Sequence, residues 1–176
     1  MSIVTKTGDQ GETSLMYGRR VAKGDHRVDA YGCVDELTAA LGIARSICDD
    51  DFVSEQILAA QKDLIVLMGE LATLPEDRER YLKDGFKLTD AAMVDRVTAV
   101  IVDLEKDKSL YPKDWVIPGG TKISAALDFA RTTCRHAERR VSKLKDLNPE
   151  VVRYLNRLSD LCWILARRVE LRERRV

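Results

Sequence analysis

Five segments of this chain place apolar residues at alternating steps of three and four, and this spacing constrains the fold more than any other feature. The longest regular run is Ile123, Leu127, Ala130, Cys134, Ala137, Val141 and Leu144. Such spacing lays the side chains along one face of an α-helix, and that face has to be buried in a helical core. Strict heptads in three of the segments favour left-handed packing, with crossing angles of ~20°. The sequence therefore predicts an all-α bundle of five helices in up-down order.

Capping residues and prolines mark where the five predicted helices begin and end. The predicted N-terminal positions, in chain order, are Arg27, Ser54, Thr89, Thr121 and the pair Asn148-Pro149. Serine and threonine favour such positions because their hydroxyl groups accept hydrogen bonds from free backbone N–H groups. Pro75 ends the second helix, because proline cannot continue the helical hydrogen-bond pattern. The charged segment 76–87 has no periodicity and is predicted to be an exposed connection.

Composition and charge limit the class of protein. The chain has 176 residues, 45% of them hydrophobic, which is enough for one domain with its own core. Lysine plus arginine equals aspartate plus glutamate at 29 each, so no net positive charge attracts nucleic acid or anionic lipid. No apolar run approaches the ~20 residues that span a bilayer, and the N-terminus lacks a signal-peptide core, which predicts a cytoplasmic protein. We expect one domain over residues 1–176, with an N-terminal loop at 1–26 and a helical bundle at 27–176.

The N-terminal stretch TKTGDQGETS has the composition of a loop and invites comparison with a phosphate-binding loop. Gly8 and Gly11 permit close approach, and free backbone N–H groups can bind anionic oxygens. The stretch lacks the spacing of a Walker A motif, and by itself such a loop is more often a plain turn. Nearby cations favour a phosphate role instead: Lys6, Arg19, Arg20, Lys23 and Arg27.

The sequence contains no pattern typical of a metal site or of a nucleophile. His26 and His136 are the only histidines, and neither lies in the Glu-x-x-His pattern of a di-iron bundle. The cysteines have no CxxC pair and are predicted to be reduced and structural: Cys33, Cys48, Cys134 and Cys162. Cys134 and His136 are two positions apart, which points them to different sides of a helix. We therefore expect neither a metal ligand set nor a catalytic Cys-His pair.

Two helices carry polar features beside their apolar seams. Arg131, Arg135 and Glu138 line up on one face of the fourth helix, an arrangement that in general is more often a solvated flank than a site. Gly32 stands in the middle of the first helix, where glycine costs about 1 kcal/mol relative to alanine. Such a glycine makes room for a neighbouring helix or a ligand, and the neighbouring helix is the commoner reason.

Four segments together resemble the PduO-type ATP:cob(I)alamin adenosyltransferases, in that family's order and spacing from Thr5 to Arg167. The segments are TKTGDQGETSL, RVDAYGCVDEL, PGGTKISAALDFARTTCRHAER and YLNRLSDLCWILAR. The resemblance implies a ferritin-like bundle that assembles as a homotrimer, with active sites between subunits. It also implies transfer of the 5′-deoxyadenosyl group of MgATP to cob(I)alamin, which forms adenosylcobalamin and releases triphosphate. A flavoprotein reductase and a cobalamin-dependent mutase are the further partners that it implies.

The resemblance also implies roles for individual residues. The loop should wrap ATP through Thr5, Lys6, Thr7, Gly8, Asp9, Gly11, Thr13 and Ser14, with Lys23 on the phosphates. Arg135 matches the arginine that binds the triphosphate, and Glu138 and Asn156 match positions around the nucleotide and its Mg²⁺. Arg131 matches an arginine that pairs across the subunit interface with the aspartate Asp35. Trp115 stands where many members have phenylalanine on the lower corrin face, a residue thought to displace the lower axial ligand and give a four-coordinate cobalt(II).

The chain departs from the family pattern at three places. Trp115 replaces the phenylalanine, His136 stands where RRAER is usual, and the sequence ends at Val176 without the longer tail of some relatives. The first two departures leave open a second function, a nucleotide-dependent corrinoid carrier or sensor that binds both ligands without efficient turnover. A structural helical assembly module, which binds no ATP, is a third interpretation.

Overall fold

The structure is a computed structural model that describes residue 4 and residues 6–173. Two short strands precede the helices: β1 (Glu12–Ser14) and β2 (Arg20–Ala22). The described part of the chain contains six α-helices, which are α1 (His26–Ser46), α2 (Asp51–Leu71), α3 (Arg78–Lys83), α4 (Ala91–Leu104), α5 (Lys122–Val141) and α6 (Pro149–Glu173). The all-α class is confirmed, and the short α3 adds a sixth helix within the segment that was predicted as a connection.

The caps of the helices agree with the prediction at α5 and differ at α2 and α4. The Thr121 side chain accepts from the backbone N–H of Ser124, and the Ser124 side chain accepts from that of Thr121, so the two form a capping box. The prediction of Ser54 as the cap of α2 was wrong, because Asp50 caps that helix by accepting from Val53 N. Asp90, one residue after Thr89, caps α4 in the same way. In both cases an aspartate side chain supplies the acceptor.

The N-terminal stretch is not entirely a loop, since β1 and β2 pair as an antiparallel hairpin with Ser14 opposite Arg20. Its turn uses left-handed backbone at Tyr17 (φ 60°) and Gly18 (φ 75°). Strands of three residues are too short for an alternating pattern to be visible in the sequence. The hairpin is fixed to the end of α2, because Met16 N donates to Ala72 O at 2.9 Å.

The helices pack as a bundle in which α5 lies between α1 and α6. Helix α1 also contacts α2, and α6 also contacts α4. Small residues allow this approach: Ala130 and Ala137 of α5 and Ala30 of α1 are completely buried. None of the helices in the described ranges, 4 and 6–173, combines the length and apolar composition that a membrane crossing requires.

Gly32 does not make room for a neighbouring helix of the same chain, which was the favoured interpretation. A Cβ atom placed there would meet no described atom within 4 Å other than those of its own helix and its chain neighbours. The space beside Gly32 is therefore open on the surface of α1, on the face that also carries the exposed Asp35.

Candidate functional site

The hairpin folds Lys23 back over the N-terminal loop. Lys23 N donates to Gly11 O at 2.8 Å, and a Cβ atom at Gly8 would lie only 3.2 Å from Lys23 Nζ. Glycine at position 8 is thus what allows the ammonium group to lie against the loop. The predicted proximity of the loop and Lys23 is present in the structure, whereas the predicted contact Thr5 lies outside the described residues.

Arg20 organises the same loop, and the sequence reasoning counted it only as a nearby cation. Its guanidinium donates to Thr7 O at 2.8 Å and to Ser14 Oγ at 3.1 Å, and it forms an ion pair with Glu12 at 3.3 Å. The hairpin register brings Arg20 opposite Ser14. No strand pattern in the sequence indicated that register, so this role was missed.

The loop residues that are predicted to contact ATP divide into those that line a cavity and those that do not. The loop has its own cavity of about 650 Å³, which is lined by Lys6, Thr7, Asp9, Gln10, Ser14 and Arg20. A separate open cavity of about 660 Å³ lies elsewhere in the chain. Gly8 supports Lys23 beside it. Thr13 alternates with Glu12 and Ser14 along β1, so its side chain projects to the other face of the hairpin. Gly11 adopts left-handed backbone (φ 80°), which glycine accommodates without strain.

Helices α5 and α6 bring Glu138 and Asn156 together, as the resemblance implied. Asn156 Nδ2 donates to Glu138 Oε1 at 3.2 Å, and Arg157 Nη2 donates to Asn156 Oδ1 at 2.5 Å. Both bonds fix the orientation of the amide, so Arg157 is a further residue of this site. The cavity beside them measures about 400 Å³ and also contacts Val94. It is separate from the cavity of the N-terminal loop.

Arg135 lies one turn before Glu138 on α5, with its side chain exposed. It forms no ion pair with a side chain in the described ranges, 4 and 6–173. A guanidinium with no internal carboxylate partner is available to an anionic ligand.

Arg131 and Trp115 line one open cavity of about 660 Å³, together with Trp163 and Tyr111. Trp115 is 99% exposed, and the rings of Tyr111 and Trp163 lie 5.9 Å apart with a 47° tilt. The two other aromatic residues were not predicted as site residues. Trp163 lies in the family segment YLNRLSDLCWILAR, but nothing in that segment marked its ring, and only the fold brings the segment before α5 against α6.

A buried ionic network holds Arg131 in this cavity. Arg131 Nε donates to Asp128 Oδ1 at 3.0 Å, and Arg167 Nη2 donates to Asp128 Oδ2 at 2.6 Å. Arg167 also contacts Glu170 at 3.2 Å, and its Nε is buried with no hydrogen-bond partner among the described residues. Removing one member of such a network leaves a buried charge without a counterion.

The same network reaches the turn that carries Trp115. A Cβ atom at Gly120 would lie 2.7 Å from Glu170 Oε1, so the buried Glu170 carboxylate packs directly against the turn. Gly119 adopts φ 112°, a conformation that other residues rarely adopt. The two glycines thus let the chain pass over Glu170 and enter α5.

Asp35 and Arg131 do not pair within one chain. Asp35 is exposed on α1 and forms no ion pair with a described side chain, while Arg131 is bound to Asp128. Their predicted pairing across a subunit interface stays a prediction.

The four cysteines are free, and three of them are buried. Burial raises the pKa of the Cys134 thiol well above its usual value and raises that of Cys162 to about 12. A protonated thiol is a poor nucleophile, so these residues act as small apolar side chains. The fold brings Cys33 and Glu36 of α1 next to His136 of α5, a proximity that the spacing in the sequence did not reveal, and the expectation of no metal ligand set stays a prediction.

The chain matches known proteins over nearly its whole length. The family model described as cobalamin adenosyltransferase matches residues 3–169. A corrinoid adenosyltransferase PduO of Salmonella typhimurium is 36% identical over 173 residues, which are 95% of this chain and 49% of that protein, so the chain spans about half the length of this relative. A corrinoid adenosyltransferase of Bacillus subtilis is 36% identical over 98% of this chain and 88% of its own length.

A solved structure has the same fold. It is a variant of the PduO-type ATP:corrinoid adenosyltransferase from Lactobacillus reuteri, complexed with cobalamin and ATP. The TM-score is 0.88 and the identity 32%, and the similarity covers 98% of this chain and 96% of that one.

Proposed function

The chain belongs to the cobalamin adenosyltransferase family, and we propose that it transfers the 5′-deoxyadenosyl group of ATP to the cobalt of a reduced corrinoid and releases triphosphate. The observation that carries this proposal is the hydrogen-bonded pair of Glu138 and Asn156 that lines one α5–α6 cleft in a chain of this family, with the exposed Arg135 one turn before Glu138 on α5. The reacting atoms belong to the two substrates, so the protein has to position them and stabilise charge.

The residues at the two polar sites fit a triphosphate. Lys23 lies against Gly8, and neither Lys23 nor Arg135 has an ion-pair partner among the side chains that the structure describes. These cations bind the phosphate oxygens and stabilise the negative charge that develops on the leaving triphosphate. Arg20 holds the loop around Thr7 and Ser14 in position for this contact.

Glu138 and Asn156 fit a Mg²⁺ ion that arrives with the nucleotide. Mg²⁺ prefers oxygen ligands such as carboxylates and usually keeps several waters in place of a complete protein ligand set. Glu138 offers a carboxylate at the surface of the cleft, and Arg157 orients the neighbouring amide. The ion supplies charge neutralisation for the triphosphate.

The aromatic cavity fits one face of a corrin ring. Trp115, Trp163 and Tyr111 give it apolar walls, and Arg131 lies at its edge. Such walls would exclude water from the lower face of a bound ring, and Trp115 would there displace the lower axial ligand, as the resemblance implies for its position. The redox chemistry belongs to the corrinoid metal.

We further propose that the chain acts as a homotrimer in which the loop of one subunit completes the α5–α6 cleft of the next. Within one chain, the loop cavity and the cleft have no lining residue in common. Apolar side chains on α1 and α5 also remain exposed, with Ile43 at 55% and Phe129 at 58%. A double-mutant cycle on Asp35→Ala and Arg131→Ala, read by sedimentation equilibrium, tests the proposed pairing, and purely additive losses would refute it.

The activity test combines purified protein, MgATP and chemically reduced cobalamin. We expect the absorption spectrum of adenosylcobalamin to appear together with stoichiometric triphosphate. If neither product forms, the transferase proposal fails. Calorimetry then separates the remaining functions: tight binding of ATP and corrinoid without turnover indicates a carrier or sensor, and absence of ATP binding indicates a structural module.

A further inference from the structure

Three potential metal ligands of different chemical kinds meet in the groove between α1 and α5. They are Cys33 Sγ, a carboxylate oxygen of Glu36 and a ring nitrogen of His136, and these atoms all lie within 4.8 Å of one another. Cys33 and Glu36 are three positions apart on α1 and so share one face of that helix. His136 reaches them from α5, 103 positions after Cys33 and 100 after Glu36 in the sequence.

We propose that Cys33, Glu36 and His136 form a binding site for a divalent transition metal ion, with Zn²⁺ as the best match. Zn²⁺ binds thiolate, imidazole and carboxylate at about 2.0–2.3 Å, in a tetrahedral arrangement. Three ligands at those distances lie roughly 3–4 Å from one another, so small side-chain rotations convert the cluster into a ligand set. Mg²⁺ and Ca²⁺ take oxygen ligands and do not match a thiol and an imidazole. Water completes the fourth position.

The burial of the three residues suits a site that is fixed on one side and open on the other. Cys33 is only 4% exposed and is held in the α1–α5 contact, His136 is half-buried, and Glu36 is exposed. An ion therefore enters past Glu36 and His136. The ion then joins the helix of Asp35 to the helix of Arg135.

Arg140 is the main group that opposes metal binding at this site. Arg140 Nε donates to His136 Nε2 at 3.2 Å, and Arg140 Nη1 lies 3.2 Å from Asp29 Oδ2. The imidazole thus presents a lone pair, which is the form that ligates a metal, but a guanidinium competes for it. Asp29 keeps Arg140 paired when the imidazole turns to the ion. The Cys33 thiolate and the carboxylates of Asp29 and Glu36 together carry three negative charges. Arg140 reduces this net charge to −2, which a divalent ion balances.

The thiol has to lose its proton when the ion binds. Burial raises the pKa of Cys33, and the carboxylates of Asp29 and Glu36 raise it further, while Arg140 lowers it. Metal binding therefore releases a proton from this site, as is usual for cysteine ligands.

The test is a Co²⁺ titration of the full chain after treatment with a chelator, under reducing conditions and without nucleotide or corrinoid. We expect a sulfur-to-cobalt charge-transfer band and strong visible bands of a tetrahedral ion, both removed by added Zn²⁺. Absence of the charge-transfer band with Co²⁺ in excess overturns the proposal.

Variants locate the site independently of activity. Cys33→Ser should abolish the charge-transfer band, and Glu36→Gln, at an exposed position where folding is not at risk, should weaken Co²⁺ binding by about tenfold or more. Arg140→Gln should tighten binding, since it removes the competing cation. Cys48→Ser is the matched control and should leave the spectrum unchanged. A band that persists in Cys33→Ser, or equal affinity in Glu36→Gln and the unaltered chain, would contradict this assignment.

Discussion

Arg167 Nη2 lies 2.6 Å from Asp128 Oδ2, and each of the two side chains is only 4% exposed. The other carboxylate oxygen of Asp128 accepts from Arg131, which lines the aromatic cavity. One buried carboxylate therefore connects the interior of the α5–α6 contact to the wall of the aromatic cavity.

Asp128→Asn tests this connection, because it keeps the side-chain shape and removes the charge that two guanidinium groups share. We expect a loss of about 3–5 kcal/mol in the free energy of unfolding, measured by urea denaturation, since Arg167 is left buried without its main counterion. Glu79→Gln is the control, as its pair with Lys83 is exposed on both sides and should contribute less than about 1 kcal/mol. Equal losses in the two variants would show that burial does not strengthen the pair.

Arg135→Ala should remove most of the turnover and leave the fold intact. The side chain is exposed and has no internal partner among the described residues, so the free energy of unfolding should change by less than about 0.5 kcal/mol. Turnover is measured as formation of adenosylcobalamin, and Lys145→Ala, an exposed cation beyond the same helix, serves as control. Full activity would exclude a role on the triphosphate, and an unfolded variant would contradict the expectation that Arg135 makes no contact that the fold needs.

Trp115→Ala separates a packing role from a role at the corrin. At 99% exposure the indole adds little to the stability of the chain, so the thermal midpoint should stay unchanged. Turnover that starts from cobalt(II) with a reductant should fall more than turnover that starts from preformed cobalt(I). Equal losses in the two assays would mean that Trp115 only covers the cavity.

Gly32→Ala tests whether the open space on α1 receives another subunit or a ligand. Helix propensity alone would stabilise an isolated α1 by about 1 kcal/mol, and the chain itself offers nothing for the new methyl group to meet. We nevertheless expect weaker assembly of the proposed trimer or weaker ATP binding, measured by sedimentation and calorimetry. A more stable trimer with unaltered ATP affinity would indicate that nothing docks beside Gly32.

Alkaline pH should destabilise the fold. Burial raises the pKa of Cys162 to about 12 and raises those of Cys134 and Tyr154 as well. The native state therefore keeps protons that the unfolded state releases above pH 9 to 10, so stability is full below that range and falls as the pH rises toward 12. Each such group contributes a slope of about 1.4 kcal/mol per pH unit. Urea midpoints from pH 7 to 11 measure the fall, and Cys162→Ala should make it less steep.

The sequence predicted the long helices because burial in a bundle imposes a period that the apolar residues themselves carry. It also predicted Thr121 as a cap, since the capping box is a local pattern between positions 121 and 124. The cap of α2 was misplaced because both Asp50 and Ser54 are good acceptors, and only the backbone geometry selects Asp50.

Contacts between distant segments could not be predicted from spacing. His136 was compared with its sequence neighbour Cys134, whereas the cysteine near it is Cys33, brought there by the packing of α1 on α5. Asp128 and Arg20 were missed as site residues for the same reason. Their roles depend on a neighbouring helix and on a hairpin register. The resemblance, by contrast, implied that Glu138 and Asn156 lie near each other, because residue matches to a family carry information about tertiary structure.

The closeness of Gly120 to Glu170 has a consequence for how this sequence can change over generations. A side chain at position 120 would collide with the carboxylate of Glu170, and Glu170 is buried against Arg167. A larger residue at 120 requires Glu170 either to leave its contact with Arg167 or to be replaced by a shorter residue, as in Gly120→Ala combined with Glu170→Ser. The two positions are thus expected to co-vary among relatives, and inheritance couples the turn of Trp115 to the last helix.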